Sequence, residues 1–245
     1  MTQQTPSTQE TQKTRLNVIA AIPCLNEEQF IKDIVTRTRR YVDKVIVIDD
    51  GSTDNTSKVA KDAGAEVIRH GTRQGAGAAT RSAFEAAKTC GADVMVTLDG
   101  DGQHNPDEIP QVLAPILHGE ADLVIGSRFL QPAQQTQETQ RTNIRRYRKF
   151  GIDVITWLYN FGSRIKVSDS QSCFRAHSRK LLDAINITES GFSFSVEVLI
   201  KSRRRGLVIA EAPISCVYHS QGSSLNPVAH GLGVAFAVIK LRLLR

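Results

Sequence analysis

The chain of 245 residues is long enough for one large domain or two small ones, and its 40% apolar content is enough for a full hydrophobic core. Its net charge of +6 favours anionic partners such as phosphates, nucleic acid or an anionic membrane, but no helix-turn-helix, RNA-recognition or zinc-finger pattern supports nucleic acid. The four cysteines stand alone, so they indicate neither a zinc site nor a disulfide framework, and a reducing, cytoplasmic environment is expected.

The two ends of the chain differ in character. Residues 1–15 are rich in Thr and Gln, carry no basic-plus-apolar leader and are expected to form a disordered tail. No run reaches the roughly eighteen apolar residues that span a bilayer. Residues 228–245 predict a helix that either docks on the core or lies in a membrane interface, with one apolar stripe. That stripe consists of Leu232, Phe236, Ile239 and Leu243.

Short β-branched runs alternate with helical patterns through the first half of the chain. Strands are predicted at residues 17–22, 45–48, 66–69, 94–98 and 123–125. Helices are predicted at residues 27–41, 53–63 and 75–89, and from Pro106 onward. This order predicts an α/β fold with a mainly parallel sheet and helices on both faces, whose ligands bind beyond the carboxyl ends of the strands.

The second half is less regular. The polar segment 131–142 predicts a mobile loop of the kind that forms lids. Helices are predicted at 144–161, 179–185 and 196–205, and a strand at 207–216, in which Pro213 indicates a sheet edge or a bulge. The basic clusters 145–149 and 201–205 suit phosphates, and a solvated helix face is the alternative for each.

The stretch 98–104 places Asp99 and Asp101 two residues apart in a glycine turn directly after a predicted buried strand. Gln103 follows at the same alternate spacing. Mg²⁺ and Mn²⁺ prefer oxygen ligands and commonly hold a substrate diphosphate against one or two carboxylates. The turn therefore predicts a divalent metal site, with an acidic surface turn as the alternative.

A second acidic cluster, Asp49 and Asp50, closes the strand predicted at 45–48. Two adjacent acids at the end of a buried strand cost stability unless a cation or hydrogen-bonding groups meet them. Ribose hydroxyls and a base edge would do so, whereas the following Ser52, Thr53 and Asp54 suit the start of a helix. Together with residues 23–27, these clusters should meet in one crevice.

Gly75 and Gly77 open the third predicted helix without completing a dinucleotide-binding fingerprint, because a third glycine and an acid about twenty residues on are missing. The amino end of this helix, beside Arg73 and Gln74, is expected either to approach a nucleotide or to pack closely on the sheet.

In order, these clusters resemble the motifs of an inverting family 2 glycosyltransferase of the GT-A fold. Residues 23–27 resemble P-x-x-N-E, residues 49–54 resemble D-D-G-S-x-D, and residues 99–106 resemble D-x-D-x-Q-H-x-P. Matches at 127–128, 169–175 and 222–227 resemble the dolichol-phosphate (polyprenyl-phosphate) sugar synthases of that family. Cys173 departs from a position where glycine is common, and the transmembrane segments that some relatives append are missing.

The resemblance implies roles by position. The nucleotide-sugar pocket would comprise Pro23, Leu25, Glu27, Asp50, Gly75 and Asp99, and Mg²⁺ or Mn²⁺ would be held by Asp99, Asp101 and Gln103. Besides Asp101, the catalytic set would comprise residues for the acceptor phosphate, namely Arg128, Arg145, Arg148 and Arg175. Arg175 could instead brace the lid. Ser127 and Glu197 are weaker candidates, and Glu197 could equally form a structural ion pair with Arg203 or Arg204.

The implied reaction is an in-line transfer from a UDP- or GDP-sugar to a polyprenyl (dolichyl) phosphate. A phosphate monoester needs no strong general base, because its second pKa is about 6. The expected partners are this donor, this acceptor and, peripherally, the cytoplasmic membrane face, but not nucleic acid. The alternatives are a family 2 transferase that acts on a sugar hydroxyl with Asp169 as its carboxylate, and a non-enzymatic basic binding module. We expect one domain over 16–227, with a donor half at 16–128 and an acceptor half at 129–227.

Overall fold

A computed structural model describes the backbone of residues 15–130, 146–217 and 227–243, and the side chains of residues 15–130, 149–217 and 233–242. Almost all of the tail predicted at 1–15, the lid predicted at 131–142, the matched residues 222–226 and Arg145 lie outside the described residues.

Seven strands of the described chain form one sheet. The strands are β1 (Val18–Cys24), β2 (Lys44–Asp49), β3 (Glu66–Arg69), β4 (Val94–Thr97), β5 (Leu123–Ser127), β6 (Arg175–Ser178) and β7 (Ile209–Pro213). In space they follow the order β3-β2-β1-β4-β6-β5-β7, and only β6 runs antiparallel to its neighbours. This arrangement confirms the predicted α/β fold with a mainly parallel sheet.

Helices cover both faces of the sheet, because alternate side chains of each strand point to opposite faces. The helices are α1 (Ile31–Thr38), α2 (Thr56–Asp62), α3 (Ala76–Thr89), α4 (Ile109–Leu117), α5 (Arg146–Asn160), α6 (Arg179–Ala184), α7 (Phe194–Arg204) and α8 (Pro227–Leu243). Ile19 and Ala21 join a core with α3, α5, α6, α7 and α8, whereas Ala20 and Ile22 join a second core with α1, α2 and α4. A single 3₁₀ turn, Pro106–Glu108, precedes α4.

Strand β6 was not predicted from the sequence. It is four residues long and includes Arg175 and His177, so it has neither the length nor the apolar alternation of a typical strand. Its pairing partners supply what its own sequence lacks, since Arg175 lies opposite both Thr97 of β4 and Ile125 of β5. Because β6 lies between β4 and β5, the segment before β6 lies next to the acidic turn after β4.

The C-terminal elements refine two predictions. Strand β7 lies at the edge of the sheet, as Pro213 indicated. Helix α8 docks on α5 and α7, but Val234, Val238 and Leu241 form its buried face, whereas Phe236 and Ile239 of the predicted stripe face outward. The side chains of Leu232 and Leu243 lie outside the description. None of the described helices combines the length and apolarity needed to cross a bilayer.

Strands β1, β2 and β4 end at the same edge of the sheet. In the parallel register, Cys24 pairs with Asp49, and Ala21 pairs with Thr97. The turns that follow these strands therefore lie side by side at the carboxyl edge, where α/β sheets bind their ligands.

Candidate active site

The turns after β1 and β2 are joined by a set of short hydrogen bonds. Asn26 has φ of +59°, a left-handed conformation that asparagine tolerates better than most residues. Its side-chain oxygen accepts from the Thr53 N–H at 2.8 Å, and its own N–H donates to Ser52 Oγ at 2.9 Å. Next to it, the N–H of Glu27 donates to Thr56 Oγ1 at 2.8 Å. Asn26 therefore joins residues 23–27 to the turn that contains the second acidic cluster, as the sequence predicted.

Three residues of the turn after β1 are accessible to solvent. Pro23, Leu25 and Glu27 are each partly exposed, whereas Cys24 is buried. The three residues can therefore contact a ligand, at the position predicted for a base and ribose.

Asp49 is fully buried and has protein partners on both carboxylate oxygens. The Ser52 N–H donates to one oxygen at 2.7 Å, Ser57 Oγ donates to the other, and Arg69 Nε lies 3.8 Å away. Burial raises the pKa of Asp49, but the hydrogen bonds from Ser52 and Ser57 and the Arg69 charge outweigh it and lower that pKa below its usual value. Asp49 is therefore an ionised structural group.

Asp50 organises the loop before α3. The backbone N–H groups of Gln74 and Gly75 donate to its carboxylate at 2.9 and 2.8 Å, and His70 Nδ1 lies 2.8 Å from it. The sequence argument required cationic or hydrogen-bonding partners for the two acids and offered ribose hydroxyls and a base edge, and the protein itself supplies such partners. A direct contact between Asp50 and the donor stays a prediction.

Gly75 and Gly77 permit a close backbone approach. A Cβ atom on Gly75 would lie 2.6 Å from the Ser190 carbonyl oxygen, and one on Gly77 would lie 2.1 Å from that of Glu189. The packing alternative is therefore observed, but the partner is the loop before α7 rather than the sheet. The Gly75 N–H already donates to Asp50, so it is not the group that would bind a nucleotide. Gly75 would contribute to nucleotide binding only through the place of its backbone in the loop.

The acidic turn after β4 concentrates negative charge. Burial, together with the charges of Asp101 and Glu27, raises the pKa of Asp99 to about 7. Burial, together with the charges of Asp101 and Asp54, likewise raises the pKa of Glu27 to about 7. The Gln103 side-chain amide donates to Asp101 at 2.5 Å. Glu27, Asp99 and Asp101 thus repel one another at one point of the sheet edge, and we call them the carboxylate cluster.

The donor set of this turn fits Mg²⁺ or Mn²⁺. Two carboxylates and an amide provide hard oxygen ligands, and a divalent cation would relieve the repulsion that, together with burial, raises the pKa values of Asp99 and Glu27. Within the described residues, no three His, Cys, Asp or Glu side chains form a ready metal cage. The residues that would hold such a cation are Asp99, Asp101 and Gln103.

His104 is buried behind the acidic turn. Its Nδ1 has no hydrogen-bond partner among the described residues and lies 3.9 Å from Asp99. Burial and the nearby charge of Arg128 lower the pKa of His104 to about 3, so the imidazole is neutral.

Arg128 forms a bidentate ion pair with Asp169. Its Nε and Nη2 atoms donate to the two carboxylate oxygens at 2.7 and 2.8 Å, and Asp169 also accepts from the N–H groups of Gln171 and Ser172. Burial raises the pKa of Asp169, but the Arg128 charge outweighs it and holds the pKa below its usual value. Asp169 is ionised and enclosed by donors, which disfavours it as a general base.

Arg175 is fully buried. Its guanidinium donates at 2.8 to 2.9 Å to the carbonyl oxygens of Ser170, Ser172 and Ser195. These contacts brace the segment before β6 and the start of α7 and disfavour a direct phosphate contact, whereas a contact with the predicted lid lies outside the described residues.

The cluster 201–205 is largely structural. Lys201 pairs at 2.5 Å with Glu197, which also accepts from the Thr188 and Glu189 N–H groups. Glu197 is therefore in a structural ion pair, as one alternative held, but with Lys201 rather than Arg203 or Arg204. Those two arginines donate to carbonyl oxygens near the ends of α5 and α8, at Tyr159 and Leu241 respectively.

Two predicted acceptor arginines are not tested by the geometry. Arg145 lies outside the described residues, and Arg148 lies in the first turn of α5 with its side chain outside the description. Their roles stay predictions.

Two site-building residues escaped sequence analysis. Glu211 on β7 accepts from the N–H groups of Ser168 and Asp169 at 2.9 and 3.2 Å and so positions the partner of Arg128. His70 holds Asp50 and lies 2.9 Å from Ser82 Oγ. Neither has a local signal, because each acts on residues more than ten positions away.

Comparison with known proteins places the chain in a family. A model of glycosyl transferase family 2 matches residues 19–185. The chain is 31% identical over 244 residues to the UDP-N-acetylglucosamine–dolichyl-phosphate N-acetylglucosaminyltransferase of Methanococcus voltae, covering 91% of this chain and 94% of the relative. It is 30% identical over 223 residues to the undecaprenyl-phosphate mannosyltransferase of Micrococcus luteus, covering 85% and 87%.

A solved structure has the same architecture. Glucosyl-3-phosphoglycerate synthase from Mycobacterium tuberculosis, in complex with Mn²⁺, uridine diphosphate and phosphoglyceric acid, matches with a TM-score of 0.71 at 23% identity, covering 94% of this chain and 80% of that one. The fold is therefore that of the GT-A glycosyltransferases. The chain belongs to glycosyl transferase family 2. It is a hexosyltransferase that resembles the dolichyl- and polyprenyl-phosphate sugar synthases.

Proposed function

We propose that the protein transfers a hexose from a UDP- or GDP-linked sugar to a polyprenyl phosphate, with inversion at the anomeric carbon and dependence on Mg²⁺ or Mn²⁺. The observation that carries the proposal is the carboxylate cluster at the ligand-binding edge of the sheet, with the raised pKa values of Glu27 and Asp99. The named activities of the Methanococcus and Micrococcus relatives support a lipid phosphate as acceptor.

On the donor side, Pro23, Leu25 and Glu27 provide an accessible wall for the base and ribose. Asp50 holds the loop at Gln74 and Gly75, which is proposed to form a second wall. When bound to Asp99, Asp101 and Gln103, a divalent cation would supply the charge that neutralises the leaving diphosphate.

On the acceptor side, the arginines orient a phosphate for in-line attack. Arg128 is held rigidly by Asp169, and Arg145 and Arg148 are proposed to complete a basic surface at the start of α5. Orientation and opposite charge lower the barrier without a general base, because the phosphate oxygen is already anionic. A hydroxyl acceptor would need a base, and Asp169 is fully engaged with Arg128 and backbone donors.

The function is tested by a sugar-transfer assay. Purified protein is mixed with radiolabelled UDP- and GDP-sugars, a polyprenyl phosphate in detergent, and Mn²⁺ or Mg²⁺, with a chelator control. We expect label to enter the organic phase only when metal is present, which also identifies the sugar and base. Metal-dependent transfer to a water-soluble sugar, but not to the lipid phosphate, would replace this acceptor class by a hydroxyl.

A further inference from the structure

A single buried carboxylate organises the loop before α7, which consists of residues 186–190. Glu197 lies in the first turn of α7, is fully buried and accepts from the N–H groups of Thr188 and Glu189 at 2.9 Å each. The Thr188 hydroxyl and Lys201 Nζ donate to the same carboxylate. Glu197 therefore fixes the backbone of this loop from inside the fold.

The other side of the loop before α7 places two carbonyl groups against the amino end of α3. The Ser190 carbonyl accepts from the Gly77 N–H at 2.8 Å, and the Glu189 carbonyl oxygen occupies the place that a Cβ atom of residue 77 would need. Glu189 thus donates to Glu197 through its N–H and contacts α3 through its carbonyl. One residue of the loop therefore connects the buried carboxylate to the helix.

The amino end of α3 is in turn bonded to the candidate donor site. Gly75 directly precedes α3, and its N–H donates to Asp50 at 2.8 Å, next to the Gln74 N–H at 2.9 Å. The Ser190 carbonyl oxygen lies 2.6 Å from the place where a Cβ atom of Gly75 would stand. A shift of the loop before α7 should therefore reach the backbone that meets Asp50, because no glycine side chain lies between to absorb it.

The partners of Glu197 indicate that its role is orientation rather than added stability. Burial raises the pKa of Glu197, but the hydrogen bonds from Lys201 and Thr188 outweigh it and lower that pKa, so the carboxylate is ionised. A buried ion pair contributes little more net stability than well-packed apolar side chains of the same volume. An apolar side chain at this position would, however, leave the two N–H groups of the loop without their acceptor.

We propose that Glu197 is a positioning residue for the nucleotide of the sugar donor. It acts through the loop before α7 and the amino end of α3, which together hold the backbone of Gln74 and Gly75 against Asp50. The path of contacts from Glu197 to Asp50 rests on the structure alone, whereas its effect on the nucleotide rests on the proposed function.

Glu197→Gln tests this role, and Asp122→Asn is its matched control. The first substitution keeps the shape of the side chain but removes its charge and one acceptor oxygen. Asp122 has partners of the same kind, since it is buried, accepts from the Val208 N–H at 2.9 Å and pairs with Lys180 at 3.0 Å. It directly precedes β5 and so lies at the amino edge of the sheet, away from the candidate site. Both variants should lose stability, but only Glu197→Gln should alter the site.

Hydrogen–deuterium exchange measures the link itself, without any nucleotide. Three N–H groups between residues 74 and 77 are hydrogen-bonded to Asp50 or Ser190, so their exchange requires the local structure to open. We expect these amides to exchange at least about tenfold faster in Glu197→Gln than in the wild type, and within about twofold of the wild type in Asp122→Asn. Exchange at residues 74–77 that is equal in the two variants would overturn the proposal.

Calorimetric titration with UDP and GDP, each with Mn²⁺, measures the consequence for the donor. The temperature is one at which circular dichroism shows the wild type and both variants to be folded. A loop that holds the binding arrangement only about a tenth of the time raises the apparent Kd about tenfold. We therefore expect the Kd to rise at least about tenfold in Glu197→Gln and to stay within about twofold of the wild type in Asp122→Asn. An unchanged Kd in Glu197→Gln would refute the positioning role, even if exchange is faster.

A milder substitution keeps the test decisive if Glu197→Gln does not fold. Thr188→Val removes one hydroxyl donor to Glu197 from an exposed residue, so the variant should fold. We expect it to bind the nucleotide about two- to tenfold more weakly than the wild type, the scale of one lost hydrogen bond. A Kd equal to that of the wild type would count against the proposal.

The outcomes separate this inference from the proposed function. A wild type that binds neither nucleotide would refute the proposed function and the donor role together, whereas the exchange measurement would still decide whether Glu197 holds the backbone at Asp50. Sugar transfer by the wild type, combined with an unchanged Kd in Glu197→Gln, would support the proposed function and remove this inference.

Discussion

At the scale of single residues, three buried acids differ from two partly exposed acids at the edge of the sheet. Asp49, Asp169 and Glu197 are met by N–H groups and cations, which outweigh burial and lower their pKa values. Desolvation and neighbouring carboxylates together raise the pKa values of Glu27 and Asp99. The first kind stabilises the fold, whereas the second stores unfavourable charge at one edge of the sheet, the arrangement expected where a cation and a diphosphate bind.

Replacing Asp101 tests the carboxylate cluster. Asp101→Asn keeps the shape of the side chain but removes a charge, so metal-dependent turnover should fall at least about a hundredfold, the scale of losing one transition-state stabiliser. Steady-state kinetics at several metal concentrations measure the loss. Asp62→Asn on the exposed side of α2 is the control. Turnover within a few-fold of wild type in Asp101→Asn would remove this residue from the metal site.

His177 makes the stability of the fold sensitive to acid. Burial lowers its pKa to about 3, while the unfolded chain binds a proton near pH 6.5, so acidification below that value favours the unfolded state. At pH 5 this one group should lower the free energy of unfolding by about 2 kcal/mol relative to neutral pH. Urea unfolding of the wild type and of His177→Gln at pH 7.5 and pH 5 gives the difference between their free energies of unfolding at each pH. We expect this difference to change by about 2 kcal/mol against the wild type between pH 7.5 and pH 5. The same difference at both pH values would show that His177 titrates normally.

At the scale of elements, the amino end of α3 packs directly against the backbone of the loop before α7, because Gly75 and Gly77 have no side chains. The N–H of Gly77 donates to the Ser190 carbonyl at 2.8 Å, and the space a Cβ would need is occupied by backbone. This contact links a helix of the donor half to the acceptor half, so it affects both regions of the site.

A methyl group at position 77 should separate these two elements. Gly77→Ala would place Cβ 2.1 Å from the Glu189 oxygen, an overlap that only a backbone shift relieves, and we expect a loss of about 1–3 kcal/mol of stability. Gly151→Ala in α5, where a Cβ meets nothing within 4 Å, should instead stabilise by about 0.5–1 kcal/mol. The two variants are compared by the midpoints of their denaturant-induced unfolding. Equal midpoints would mean that the loop before α7 shifts easily to accommodate the added methyl group.

At the scale of the whole molecule, donor binding should stabilise the fold only in the presence of metal. A ligand at a hundred times its Kd adds about 2.7 kcal/mol, and a chain of this size gains about 2–4 °C in Tm per kcal/mol. UDP or GDP with Mn²⁺ should therefore raise Tm by roughly 5–10 °C, and EDTA should abolish the shift. Thermal melts with the matching monophosphate are the control, because it lacks the second phosphate. An equal shift in EDTA would argue against metal-bridged binding.

Local patterns in the sequence were sufficient for much of this protein. The alternation of β-branched runs with helical segments predicted the parallel part of the sheet, because strands β1, β2, β4 and β5 are buried on both faces and their own residues supply the signal. The spacing of Asp99, Asp101 and Gln103 likewise predicted a metal-binding turn from local sequence, since all three candidate ligands lie within five residues. The family motifs then carried the prediction of a sugar transferase.

Only the tertiary structure decided the features that depend on distant partners. Strand β6 exists because β4 and β5 flank it, and backbone donors reach Asp50, Asp169 and Glu197 only through folding. The outward direction of Phe236 and Ile239 was likewise unreadable, because α8 is apolar on two sides and its neighbours choose which side is buried. Sequence determines what each segment prefers by itself, whereas the contacts between segments determine which of those preferences is used.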